Sequence, residues 1–489
     1  MVRSPTAALF GSSVLLALIA GPASALSPLE VWSAWQKTAE SAGHPLSAQM
    51  ALPQGQDLRL ERLATTLSLG RREVSFVLPE LVLHGEADGT VTVAIPPELH
   101  VDVSIGTRHA DLVLHQNGLT VRAGGSPDSL THAIAAETLE LKLEAAANGE
   151  GDIPILLAAN LAGFTADHHA AEAEMADIAA TAAAFDLLIE AGDASHGVKA
   201  SLVMQDAELD MRAIDFLDID PWNIARRVTG GSSLALDIRS GTAGLEADLR
   251  RDATSEPDHL RATGQGATAR FAVGPDGFDT RMDIVGAEVS FLSPVLPDFS
   301  GTIASAGAGL TLPVLPAKGA MPASLRFELG AVAPAAETWD AMDPAGGLPH
   351  DPLSVEVTLE GLLNPRRNLL GTDAGLADAW PDSLDIRRFA ISGLGASIGA
   401  SGAFHFHLED RESWNGLPRP EGTMDMTFRG IDAVLLGMKG SGLLPDSQAG
   451  AARMILGMFA SPGQEPGSYT TRVEATPDGK LLANGQRLR

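Results

Sequence analysis

Two pairs of histidines are the residues of this chain best suited to chemistry. His405 and His407 stand two apart in GAFHFHLE, so on a strand both point to one face, where imidazole nitrogens can bind a metal. Glu409 continues the spacing. A zinc site needs three or four ligands, and no further one is evident, so the set is incomplete. His168 and His169 precede Glu172 and Glu174 in HHAAEAE. That order is not the H-E-x-x-H helix pattern of a metalloprotease, and it reads as polar residues of a solvated segment. Asp340, Asp343 and Asp351 lie among Pro344, Gly346 and Gly347, which favours turn and cap roles over a carboxylate cluster. Gly393-Leu394-Gly395 reads as a strand bend. The chain carries no G-x-S-x-G, no P-loop and no G-x-G-x-x-G after a strand. No catalytic residue, cofactor or stoichiometric metal is expected, and the chain is not expected to be an enzyme.

The elements that would position these residues follow from periodicity. Phe404, Phe406 and Leu408 alternate with Ala403, His405 and His407, and Met424, Met426 and Phe428 alternate with Asp425 and Thr427. A period of two marks a half-buried strand. The same pattern runs through Val74–Leu78, Val91–Ile95, Leu139–Leu143, Leu202–Met211, Leu325–Leu329 and Val355–Leu359. Asp88-Gly89, Asn117-Gly118 and Pro275-Asp276-Gly277 supply turns, since glycine admits the positive φ of tight hairpins. Helices are expected near 28–42, 221–230, 336 and 431–444, with a second helical stretch after the last. Leu435, Leu436 and Met438 of the 431–444 helix are expected to dock on Phe404, Phe406, Met424, Met426 and Phe428. Paired Trp32 and Trp35 read as a helix face docked on a sheet. From Phe164 to Phe185 the composition favours helix and the neighbours favour strand, and both remain open. Residues 250–266 and 361–382 read as loops, and 293–323 as a Pro- and Gly-rich stretch. The fold class is mainly β: an elongated antiparallel sheet with a few short helices packed on one face. It divides into a β-rich region over 26–330 and a β-rich module with a closing hairpin over 331–489.

The amino terminus reads as a secretory signal over residues 1–25. Arg3 is the positive start, ALFGSSVLLALIA the apolar stretch, and Ala23-Ser24-Ala25 a small-x-small cleavage site. No later run reaches the ~18–20 apolar residues of a membrane helix, so no transmembrane segment is expected in the mature chain. Cysteine is absent, which leaves the core alone to stabilise an exported chain of this length. The formal charge is −28 and becomes −29 when Arg3 leaves with the signal. Such a surface repels phosphate backbones, so nucleic acid is excluded as a partner. Aromatics are 4 % of the chain, too few to build stacking platforms for bases or sugars.

The helix VWSAWQKTAESAG, the segment TWDAMDPAGGLPHDPLSVEVTLEG and the ending GTMDMTFRGIDAVLLGMKGSGLL…VEATPDGKLLANGQRL resemble a family of exported Gram-negative proteins, domain-of-unknown-function family 2125. The resemblance runs over essentially the whole mature chain, with Trp339–Pro352 its most specific part. It implies an exported, periplasmic location and a β-rich build, and carries over no catalytic residue. The strand–helix–strand units and closing hairpin also look like AsmA-type envelope proteins, whose relatives are associated with lipid handling; this second likeness is one of fold. The expected function is binding or handling of a lipid or other apolar ligand in the cell envelope. A non-catalytic structural module that engages an envelope protein is the alternative, and an unrecognised hydrolase is disfavoured. Amino-terminal sequencing of the secreted fraction is expected to begin at Leu26; retention of Met1 would refute the signal.

Overall fold

The computed structural model describes residues 25–488 apart from 70–71, 106–107, 146–152, 172–174, 194–195, 216–223, 372–373 and 376–377. Among the described residues, 26 strands join in one antiparallel sheet. Five α-helices accompany it: α1 (Pro28–Ser41), α2 (Ile224–Gly230), α3 (Ala336–Met342), α4 (Ile431–Gly440) and α5 (Asp446–Phe459). The mainly-β antiparallel expectation is met. Pro221, expected to open the second helix, lies outside the described residues.

Strands pair largely with their neighbours in sequence. Ser129–Ala145 pairs with Ile155–Ala171, that strand with Met175–Gly192, and that one with Gly197–Ile214. The meander resumes from Gly277–Leu292 through Phe299–Leu312, Met321–Pro334, Leu353–Pro365, Ala379–Gly393 and Ala396–His407 to Arg419–Arg429. The four strands between Ser129 and Ile214 are 17 or 18 residues long. That is about three times the common strand length of 5–6.

One open stretch is decided by the structure, and three others depart from the sequence reading. The undecided span Phe164–Phe185 is strand on both sides of residues 172–174. Open edges on both sides offer more hydrogen bonds than alanine helix propensity can offset. The Pro- and Gly-rich stretch holds the strand Phe299–Leu312. Its Gly307 is useful there, because a Cβ would stand 2.7 Å from Asp283 Oδ1 and obstruct the Asp283–Arg326 ion pair. Two expected loops are shorter than read: Asp258–Gly264 is strand, and Leu353–Pro365 and Ala379–Gly393 close in on the loop between them.

Fully buried packing is confined to a few places. α1 opens with a capping box: Glu30 N–H donates to Ser27 Oγ at 3.3 Å, and Ser27 N–H to Glu30 Oε2 at 2.8 Å. Its Val31, Trp32 and Ala34 bury against Leu58, Leu60, Leu83, Val91 and Leu130, which confirms the docking of Trp32 on the sheet. α2 buries Val228 against Val273 and Val314. A third cluster, Val74, Val103, Ala110 and Ala145, is made by neighbouring strands alone.

The helix expected over 431–444 is two helices, and α4 lies as expected on the side of Met426 and Phe428, where Asp432 accepts from the hydroxyl of Tyr469, the register partner of Phe428, at 2.6 Å. α4 stops at Gly440, α5 begins at Asp446, and the one buried residue of α4 is Gly437. A Cβ on Gly437 would lie 2.6 Å from Leu348 Cδ2 and 2.7 Å from Gly347 O, so α4 seats on the loop after α3. That loop is itself braced: Leu348 N–H donates to Asp343 Oδ2 at 2.7 Å, and Trp339 stacks on His350 with centroids 4.4 Å apart. Phe404, Phe406, Met424, Met426 and Phe428 stay only partly buried, and Leu436 is exposed. The absence of a side chain at Gly437 lets the two backbones meet there. Accordingly, Trp32→Ala should cost about 3–5 kcal/mol in chemical denaturation, whereas Leu435→Ala should cost less than about 2. Equal losses would contradict this division of the core.

Candidate functional site

Directly opposed residues of an antiparallel pair share a face. Followed strand to strand, the registers therefore sort the whole sheet into two sides. Ile238, Ala269, Met282, Ala308, Phe327, Val357, Phe389, Ala400 and Met426 form one continuous row. Beside it run Leu236, Phe271, Thr280, Leu310, Leu325, Leu359, Ile386, Gly402 and Met424. The reverse side carries the charges. Arg326 donates to Asp283 and Glu328 at 2.7 Å each, Arg387 to Glu360 at 2.7 Å, and Arg388 pairs with Glu356.

The apolar rows hold their side despite a phase change within the strands. Inward residues are Leu202 and Met204 before Asp206, and Leu209, Met211 and Ala213 after it; Met282 and Ile284 precede Gly286, and Ala287 and Val289 follow it. Register is skipped at facing residues Glu137 and Gly163, and again along Gly286, Ala304 and Ala331. Gly163, Asp206, Gly286 and Ala331 have φ of +58°, +50°, +61° and +49°. One residue skipped on each of two facing strands shifts the alternation of both by one position. Because these breaks face one another across neighbouring strands, both halves of each interrupted strand keep their apolar residues on one side.

Helices cover this side only in part. α1 lies over its start, α2 over its middle, and α4 and α5 reach its far end, where Asp432 and the Phe459 carbonyl accept from Tyr469 and Thr471, the register partners of Phe428 and Met426. Between and beyond them Val198, Leu245, Leu249, Met282, Leu325 and Phe327 remain exposed, Met282 at 56 % and Phe327 at 39 %. This open apolar face is the candidate functional site. Alternation in the sequence pointed to strands, but the shared side is visible only once the one-residue phase slips are recognised, as between Leu202-x-Met204 and Leu209-x-Met211.

The residues singled out from sequence fall elsewhere. His405 and His407 sit on the polar side, where His407 Nε2 meets Glu421 at 2.8 Å and Nδ1 meets Glu409 at 3.3 Å. Among the described residues no group of three or more His, Cys, Asp or Glu converges in a form that could hold a metal. Asp343 and Asp351 bind backbone N–H groups, of Leu348 and of Gly395 at 3.0 Å, as turn and cap residues do, while Asp340 is exposed. Gly393, Leu394 and Gly395, with φ of +142°, +56° and +76°, make the turn between two strands. Glu172, Glu174 and Ala23 lie outside the described residues, and Ala25 is exposed just before buried Leu26.

His168 and His169 separate, and His168 corrects the solvated reading. Adjacent strand residues face opposite ways, so His169 bonds Ser129 on the polar side at 3.1 Å while His168 turns to the apolar side. There His168 Nδ1 lies 3.0 Å from His132 Nδ1, and Trp35 Nε1–H donates to His132 Nε2 at 3.0 Å. His132 carries no local sequence signal, because its partners are distant in sequence. Burial, with the neighbouring His168 adding to it, pushes the His132 imidazole from 6.5 down to about 4; burial, then His169, also lowers His168. The unfolded chain then binds more protons than the folded one between these values, so stability supplied above pH ~6.5 is lost as pH falls toward ~4. The melting temperature should drop over that window, and His132→Gln should flatten the drop; an equal slope in both proteins would contradict it.

No curated protein and no solved structure matches this chain. Residues 227–476 match the family model described as "Uncharacterized protein conserved in bacteria (DUF2125)". The match opens inside α2 and ends at Thr476, so it includes α3, the Trp339–Pro352 segment and α4, but not α1; the resemblance of α1 has no support from it. With just over half of its length matched, the chain belongs to this bacterial family.

Proposed function

We propose that this protein is a non-catalytic, exported protein of the periplasm that holds apolar chains, above all the acyl chains of lipids, on the open side of its sheet. The observation that carries the reading is the continuous apolar row through Met282, Phe327 and Phe389, whose members remain partly or largely open to water. Leaving such side chains uncovered forgoes roughly 1.5–3 kcal/mol apiece at full burial. An exposed apolar surface this continuous marks a binding site in a soluble protein. Each acyl methylene removed from water returns about 0.8 kcal/mol, so a half-covered sixteen-carbon chain gains roughly 6 kcal/mol before association costs. That is the scale of an exchangeable ligand, suited to handling and not to storage. The secretory signal ending at Ala23-Ser24-Ala25 and the likeness to AsmA-type envelope proteins support the location and ligand class. No helix of the described chain is long and apolar enough to cross a membrane.

A second reading, an interaction module for an envelope protein, draws on the outer surface of the α4–α5 pair, where Leu436, Met454, Ile455 and Met458 are exposed. The two readings separate experimentally. Mass spectrometry of material co-purified from native periplasm should find lipid, and a fluorescent fatty acid should bind the pure protein. Phe327→Asp should weaken the probe about tenfold or more with a melting temperature shift of only a few degrees, because the side chain is already half-exposed. Undiminished probe binding in Phe327→Asp would reject the apolar side as the site.

A further inference from the structure

We propose that the cavity between α1 and the start of the apolar side receives the polar end of a long-chain amphiphile, whose acceptor oxygen takes the Nε2–H of His168. This rests on the apolar-ligand reading above and names the part of the ligand that the open side leaves unspecified. The cavity measures about 730 Å³ and is lined by Trp35, Leu46, Thr65, Leu130, His132 and His168, among others. That volume is in the range of small-molecule sites, ~300–1,000 Å³. Leu130 continues directly into the apolar side, in register with Ala170 and Gly125. A chain lying on the sheet can therefore reach this cavity.

The hydrogen bonds fix which atom meets it. An indole N–H can only donate, so Trp35 makes His132 Nε2 an acceptor at 3.0 Å. Neutral His132 then carries its proton on Nδ1 and donates it to His168 Nδ1, 3.0 Å away. Neutral His168 must in turn carry its own proton on Nε2, for which the described residues provide no partner. Burial keeps both rings neutral at neutral pH, since it lowers the pKa of each. Lys37 at the rim is paired with Asp128 at 3.1 Å, so the rim itself brings no net charge. The line Trp35–His132–His168 thus presents one directed donor to a cavity whose other polar lining is Thr38, His44, Thr65 and the Lys37–Asp128 pair. A carboxylate or an ester carbonyl fits it. An ammonium group does not, although the net charge of −28 draws cations toward the protein.

Displacement of a fluorescent fatty acid at pH 7.5 by laurate, methyl laurate and dodecylammonium tests this on the mature chain. Laurate and methyl laurate should compete about tenfold better than dodecylammonium, the value of one well-placed hydrogen bond. The order of the first two tells whether a free acid or an ester is the better end group. His168→Phe should level all three, and His168→Gln, which retains an amide donor, should keep the preference. Equal competition by all three in the native protein, or a preference that survives His168→Phe, overturns the proposal while leaving the apolar site intact. Should no amphiphile compete and no probe bind, the apolar-ligand reading itself fails. If His168→Phe does not fold, the native protein's acceptor preference and its persistence in His168→Gln still decide the matter.

Discussion

Strand-to-strand hydrogen bonding carried almost without interruption along the chain is the constraint on which the rest depends. Because most strands pair with their sequence neighbours, backbone polar groups are satisfied within a single layer, and no second sheet is needed to complete them. A single layer with clean alternation has one polar side and one apolar side. The polar side is stabilised against its own charge by cross-strand pairs such as Arg326 with Asp283 and Arg387 with Glu360. The apolar side has no partner layer of equal size.

The helices answer that shortage at selected points. α1 and α2 bury Val31, Trp32 and Val228 on the sheet, while α4 is held by Gly437 against Gly347 and Leu348 on a loop braced by Asp343 and by the Trp339–His350 stack. The family's Trp339–Pro352 segment therefore acts as a fastener, joining α3, the Gly393–Gly395 turn through Asp351, and α4. None of these elements extends across the middle rows, so Met282, Leu325 and Phe327 remain available. The same economy produces the half-buried polar line at the α1 end. Trp35 brings a donor that an apolar surface cannot satisfy, and His132 with His168 supplies the acceptor.

Much of the architecture was legible from residues in order. Period-two runs identified strands at Val74–Leu78, Leu325–Leu329, Phe404–Leu408 and Met424–Phe428. A helix was expected near 28–42, where α1 stands, and the aspartates near Pro344 and Gly346 marked turns and caps. These are local properties: alternation, capping and turn chemistry act within a few residues, so sequence alone determined them, along with the acidic charge and the lack of cysteine. Only the tertiary structure decided that Phe164–Ala171 and Met175–Phe185 are strand, because their helix-favouring alanines yield to hydrogen bonds from strands on either side. It alone decided that all apolar rows share one side, since each strand's phase slips by one position at breaks such as Gly163, Asp206 and Gly286, and only pairing across strands aligns those breaks. It alone parted His168 from His169 and joined His168 to His132 and Trp35, because a hydrogen bond between residues 36 and 97 positions apart depends on which strands and helices become neighbours.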